Sequence, residues 1–131
     1  MKDTIEAVIK KLKEKEFHLL GYGSYTTNSY YIKMDYGVVG SLRISDHHGK
    51  KHLKYKYNLL SNLTESYIDI QGTFTRHYYT FDDVEEMIND IVSEREEKMN
   101  KWPSGVYEAF MNKNQTDSIG KKGFWSQCKV I

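Results

Sequence analysis

SYYIKMDYGVVGSLRIS, residues 29–45, decides the fold. It reads at period two. Tyr30, Ile32 and Met34 take one face, and Tyr31, Lys33 and Asp35 the other. Further on, Val38, Leu42 and Ile44 face inward while Ser41, Arg43 and Ser45 face out. Alternation of this kind marks a strand with one buried face. The pattern continues in both directions. Leu53, Tyr55, Tyr57 and Leu59 alternate with Lys54, Lys56 and Asn58, and SYIDIQGTF (66–74) sets Ile68, Ile70 and Phe74 on one side. Short polar connections join these runs, which predicts an antiparallel meander of about four or five strands.

The period changes to that of a helix at both ends of the meander. Over residues 3–16, Ile5, Val8, Ile9 and Leu12 recur at helical spacing, with Asp3 and Glu6 placed as a capping pair. Over 82–102 the stripe is Val84, Ile88, Ile91, Arg95, Met99 and Trp102; Thr80 or Asp82 can cap it, and Pro103 stops it. VYEAFM (106–111) has room for one short helix, and the polar, glycine-bearing 112–123 reads as a loop. The expected architecture is α+β: an antiparallel sheet flanked by an N-terminal and a C-terminal helix, as one domain over 1–111. Residues 112–131 follow as a loop and a tail docked on it, with FWSQCKVI able to supply a last strand. One sheet face packs on the helices. The other is expected to be open and to carry tyrosines and lysines.

Bulk composition narrows the class. A chain of 131 residues with 39% hydrophobic and 28% charged residues suits one globular domain. No apolar run approaches the roughly 20 residues that span a bilayer, and MKDTIEAVIKKLKEKE lacks the apolar core of a secretory leader. The single cysteine, Cys128, fits a reducing cytoplasm. It lies in CKVI, formally a C-a-a-X ending, but with lysine where an aliphatic residue belongs. Eleven tyrosines are the compositional oddity, and a second copy covering the open face would employ several of them.

RISDHHGKKH (43–52) gathers histidines beside an aspartate and a glycine. A metal site would use Asp46, His48 and His52, with His77 joining from a later strand. No zinc spacing is present, and a hairpin turn explains the composition more simply: Asp46 as an Asx-turn and Gly49 at positive φ. The same stretch resembles the signature of Asp-His-His phosphoesterases at Leu42, Ile44, Asp46, His47 and His48. That family also needs upstream aspartate motifs and a long parallel domain, both missing, so the reading is set aside. GYGS (21–24) lacks the lysine and helix of a phosphate cradle, and no nucleophile–base constellation is legible. The chain is read as non-enzymatic and without a cofactor.

Charge is segregated. Arg43, Lys50, Lys51, Lys54 and Lys56 make the 43–56 hairpin basic. Asp82, Asp83, Glu85, Glu86, Asp90, Glu94, Glu96 and Glu97 make the late helix acidic. A row of carboxylates can occupy a nucleic-acid channel of another protein, whereas the hairpin could bind nucleic acid directly, with tyrosines stacking on bases. Alternation sets Tyr55 and Tyr57 against the lysines, which leaves Tyr31 and Tyr79 as the expected exposed aromatics.

From Ser29 to Asn58, the tyrosine-rich strand, LRISDH and the following strand are similar to segments of small accessory proteins of Gram-positive phages and mobile elements, a group that includes anti-CRISPR proteins. The resemblance implies a cytoplasmic, non-enzymatic inhibitor acting in a host cell on a nuclease or nucleoprotein, foremost a type II RNA-guided nuclease. Such enzymes read a short duplex motif with arginines. Asp82, Asp83, Glu86, Asp90 and Glu94, with Tyr31 and Tyr79, are then the expected partner-binding residues. The alternatives are a nucleic-acid-binding module on Arg43, Lys50, Lys51, Lys54 and Lys56, and a metal-dependent hydrolase at the histidine stretch.

Overall fold

A computed structural model describes residues 2–24, 29–46, 52–58, 74–118 and 129–131. The fold is α+β. Helix α1 (Lys2–Glu14) is followed by strands β1 (Leu19–Ser24), β2 (Ser29–Met34), β3 (Gly40–Ser45), β4 (His52–Asn58) and β5 (Phe74–Tyr79). Helices α2 (Val84–Lys101) and α3 (Val106–Ser118) come next, and the two-residue strand β6 (Lys129–Val130) closes the described chain. The sheet order is β5-β4-β3-β2-β1-β6, with every neighbouring pair antiparallel. The strands of the meander therefore lie side by side in chain order, and β6 adds one more at the β1 edge.

Alternation produces the core. Ile32, Met34, Leu42 and Ile44 are buried on one face of the sheet and belong to one cluster with Val8 and Leu12 of α1 and Met87, Ile88 and Ile91 of α2. Each fully buried aliphatic side chain contributes about 1.5–3 kcal/mol through burial. Trp102 and Tyr107 close the cluster at the α2–α3 corner, with ring centroids 6.0 Å apart. At the β6 edge Gly21 allows a close approach: a β-carbon there would strike the Tyr30 hydroxyl and Ile131.

Several expectations need correction. Helix α1 begins at Lys2, so Asp3 lies within its first turn instead of before it. The α2 stripe runs differently from 95 onward: Met99 is exposed and Lys98 is buried, because Lys98 donates to the Val38 carbonyl at 2.7 Å beneath the sheet. Ser45 is buried, not outward, where it registers opposite buried Ser29. Asp35 does not continue the outward face of β2; it leaves the strand in a 3-10 turn and is fully buried. Residues 112–118 are not loop. They extend α3 to Ser118, since nothing in NKNQTDS breaks a helix already nucleated by packed Tyr107 and Phe110. The expected strand at 66–74 lies outside the described residues apart from Phe74, where β5 starts.

Candidate functional site

The turn after β2 organises the molecule. Asp35, Tyr36 and Gly37 have φ of 48°, 55° and 90°. Two consecutive non-glycine residues in the left-handed region are unfavourable by about 1–3 kcal/mol each, so tertiary contacts must hold them. The Asp35 carboxylate supplies those contacts. Its Oδ1 accepts the His18 N–H at 2.9 Å; its Oδ2 accepts the Tyr107 hydroxyl and lies 2.9 Å from Arg95 Nε. The Arg95 contact is an ion pair without hydrogen-bond alignment.

Arg95 reaches further. Its terminal nitrogens donate to the carbonyls of Lys15 (2.8 Å) and Glu16 (3.1 Å), the free carbonyls beyond α1, and its guanidinium lies 4.3 Å from the Phe17 ring centroid. Helix α1 ends with Glu16 at φ 62° and the Phe17 N–H returning to the Leu12 carbonyl at 3.2 Å. One carboxylate thus ties together the exit of α1, the turn after β2, α2 and α3. Burial and Asp35 together push the Tyr107 hydroxyl far above its ordinary pKa, which keeps it protonated and donating. The sequence offered no signal for this hub beyond an arginine on an otherwise apolar stripe.

The acidic helix divides into engaged and outward carboxylates. Asp83 accepts from the Thr80 N–H (3.1 Å) and hydroxyl (2.7 Å), and these bonds hold its pKa below the usual value. Glu85 pairs with Lys11, and Glu97 with Lys101. Glu94 is half-buried 3.7 Å from Lys98, and desolvation raises its pKa. Asp82, Glu86 and Asp90 are exposed. Glu86 and Asp90 lie one helical turn apart on α2, about 6 Å, and Asp82 sits in the 3-10 turn Phe81–Asp83 that leads into the helix. Asp90 also accepts the Tyr79 hydroxyl at 2.6 Å.

Tyr79 is therefore not an exposed aromatic. It is 9% exposed, and the pleat sends its neighbour Tyr78 outward, 63% exposed. Tyr31 is half-buried, with the Arg43 guanidinium 5.7 Å from its ring centroid and Arg43 Nε donating to Ser29 Oγ at 3.0 Å.

The register assembles a second surface. One cross-strand row reads Tyr22, Tyr31, Arg43, Lys54, Tyr78 from β1 to β5. The adjacent row reads Leu20, Lys33, Ser41, Lys56, Arg76. These rows belong to the sheet face opposite the core. Lys33, Arg43, Lys54, Lys56 and Arg76 are the cations of β1 to β5, and those strands contain no aspartate or glutamate.

Asp46 is half-buried just past β3, and His52 opens β4. His48, Lys50 and Lys51 lie outside the described residues. Among the described residues no group of three or more His, Cys, Asp or Glu side chains could hold a metal ion, and no helix is long and apolar enough to cross a membrane. Comparison of the chain with protein-family models, curated proteins and solved structures returns no match.

Proposed function

We propose that this chain is a non-enzymatic inhibitor that binds a host defence nucleoprotein, a type II RNA-guided nuclease before others, with the outer line of α2 facing the arginine-rich nucleic-acid surface of its target. The observation that carries this reading is the separation of carboxylates along the helix. Asp83, Glu85, Glu94 and Glu97 are held by neighbours, whereas Asp82, Glu86, Asp90 and Glu96 are exposed, Asp90 while accepting the Tyr79 hydroxyl; Glu86 and Asp90 form an outer line one helical turn apart. The line is shorter than the acidic run of the sequence suggests, and Tyr79 stands behind it as the support of Asp90. A rigid row of carboxylates competes for cationic sites that otherwise hold phosphates.

The test is a pull-down of the guide-loaded nuclease by tagged protein after digestion of free nucleic acid, together with a DNA-cleavage assay. Wild type is expected to retain the effector and suppress cleavage. The variant Asp82→Lys/Glu86→Lys is expected to lose both while keeping its circular dichroism. Asp90 is left in place because it positions Tyr79. A folded variant that still inhibits would overturn the assignment of the site, and a wild type that neither binds nor inhibits would overturn the function.

A further inference from the structure

We infer that the sheet face opposite the core is a binding surface for single-stranded polynucleotide, with Tyr31, Tyr78 and Arg43 as its centre. The inference goes beyond the inhibitor reading and stands on a different surface. Its first ground is charge. The cations of the meander fall in two neighbouring cross-strand rows of one face, with no carboxylate in any of the five strands. Cross-strand neighbours of like charge disfavour pairing. Arg43 is nevertheless registered opposite Lys54, and Lys56 opposite Arg76. A sheet that registers lysines and arginines opposite one another matches the charge of a polyanion.

The second ground is the placement of aromatics among those cations. Tyr22 and Tyr31 are directly paired on adjacent strands, and Tyr78 closes the same row at β5. At about 4.8 Å per strand the row from β1 to β5 spans about 19 Å. Tyr78 is 63% exposed, and Arg43 is fixed between the Tyr31 ring and Ser29. Aromatic faces interleaved with basic side chains on a sheet suit unpaired bases, which stack on the rings while lysine and arginine follow the phosphates. Unpaired bases can offer their faces to such rings, whereas bases stacked inside a duplex cannot without being unstacked. The sequence reading centred such binding on the 43–56 hairpin, with Tyr55, Tyr57, Tyr78 or Tyr79 as stacking rings; the register moves the centre onto the face, sets Tyr78 in the same row as Arg43 and brings in Lys33 and Arg76 from other strands.

Fluorescence anisotropy with labelled oligothymidylate, labelled oligouridylate and a duplex of the same length tests the inference with the full chain. Binding of one or both single strands at low salt is expected, with the tighter of the two identifying DNA or RNA as the source. Tyr78→Ser is expected to weaken binding about tenfold or more, with Tyr78→Phe retaining it. Arg43→Gln is expected to lower the slope of log affinity against log salt by about 0.7. Asp82→Lys/Glu86→Lys is expected to bind the strands at least as well as wild type, which separates this surface from the helix line. Equal affinity for the duplex, unchanged binding by folded Tyr78→Ser, or no binding of either strand at low salt would each overturn the inference.

Discussion

Replacing Asp35 by alanine removes the carboxylate on which four elements converge. The change leaves the Arg95 guanidinium without its counter-ion, the Tyr107 hydroxyl without its acceptor and the His18 N–H without a partner, at a position fully buried. Breaking a buried ion pair by deleting one member costs about 3–5 kcal/mol. A lost hydrogen bond to a charged group adds about 1.5–3 kcal/mol. These terms overlap, because Arg95 is 17% exposed and can recruit water, and alanine inherits the left-handed φ of residue 35 unrelieved. About 4 kcal/mol is the expected loss, against the 5–15 kcal/mol that typically stabilises a domain. The thermal midpoint should fall by roughly 12–20 °C. Asp35→Asn keeps an acceptor for the His18 N–H and should lose about half as much. Urea denaturation followed by circular dichroism measures both, and a double-mutant cycle with Arg95→Met should return a coupling of at least about 1 kcal/mol. If Asp35→Ala unfolds within about 1 kcal/mol of the parent, the hub does not hold the turn and the account of its strain is wrong.

Lys98 makes a pH prediction. Burial lowers its pKa to about 8, below the ordinary lysine value of 10.5. Between those two values the unfolded chain binds more protons than the folded one, so the contribution of Lys98 to stability rises with pH across that window, by at most about 3 kcal/mol. Tyr107 acts in the opposite sense at higher pH, so the informative quantity is the difference between wild type and Lys98→Met, measured by urea titration at pH 7.5 and 10; a difference that does not change with pH refutes the prediction. Glu16 sits at φ 62° where α1 ends, and Glu16→Gly should stabilise the protein by about 1 kcal/mol by removing β-carbon strain. A lower midpoint for that variant would show that the Glu16 side chain does more than tolerate its backbone.

The meander was legible because its apolar residues alternate and few breakers interrupt them. Ile32, Met34, Leu42 and Ile44 declared their face without help from any distant residue. The same alternation misplaces Asp35: it points the residue outward, and nothing local signals that β2 ends one residue earlier in a left-handed turn. The partners that make its burial tolerable lie at 18, 95 and 107, beyond the reach of any periodicity. Tyr79 reads as exposed in sequence because the phase of β5 cannot be read from Phe74–Tyr79 alone; the pairing of Tyr78 with Lys54 fixes it. The acidic run was visible as composition, but sequence does not say which carboxylates meet Lys11, Lys98 or Lys101. The cation rows depend on the register of five strands, and only one hairpin of them was adjacent in sequence.

A formal charge of +1 suggests a molecule indifferent to electric fields. That value hides an uneven placement, with eight carboxylates from Asp82 to Glu97 and five lysines and arginines in strands β1 to β5, which hold no carboxylate. In the field of a larger charged surface a molecule with unevenly placed charge turns before it touches. Its encounters are then oriented in advance. Association with a charged partner should then slow with added salt, although its own isoelectric behaviour gives no warning of it.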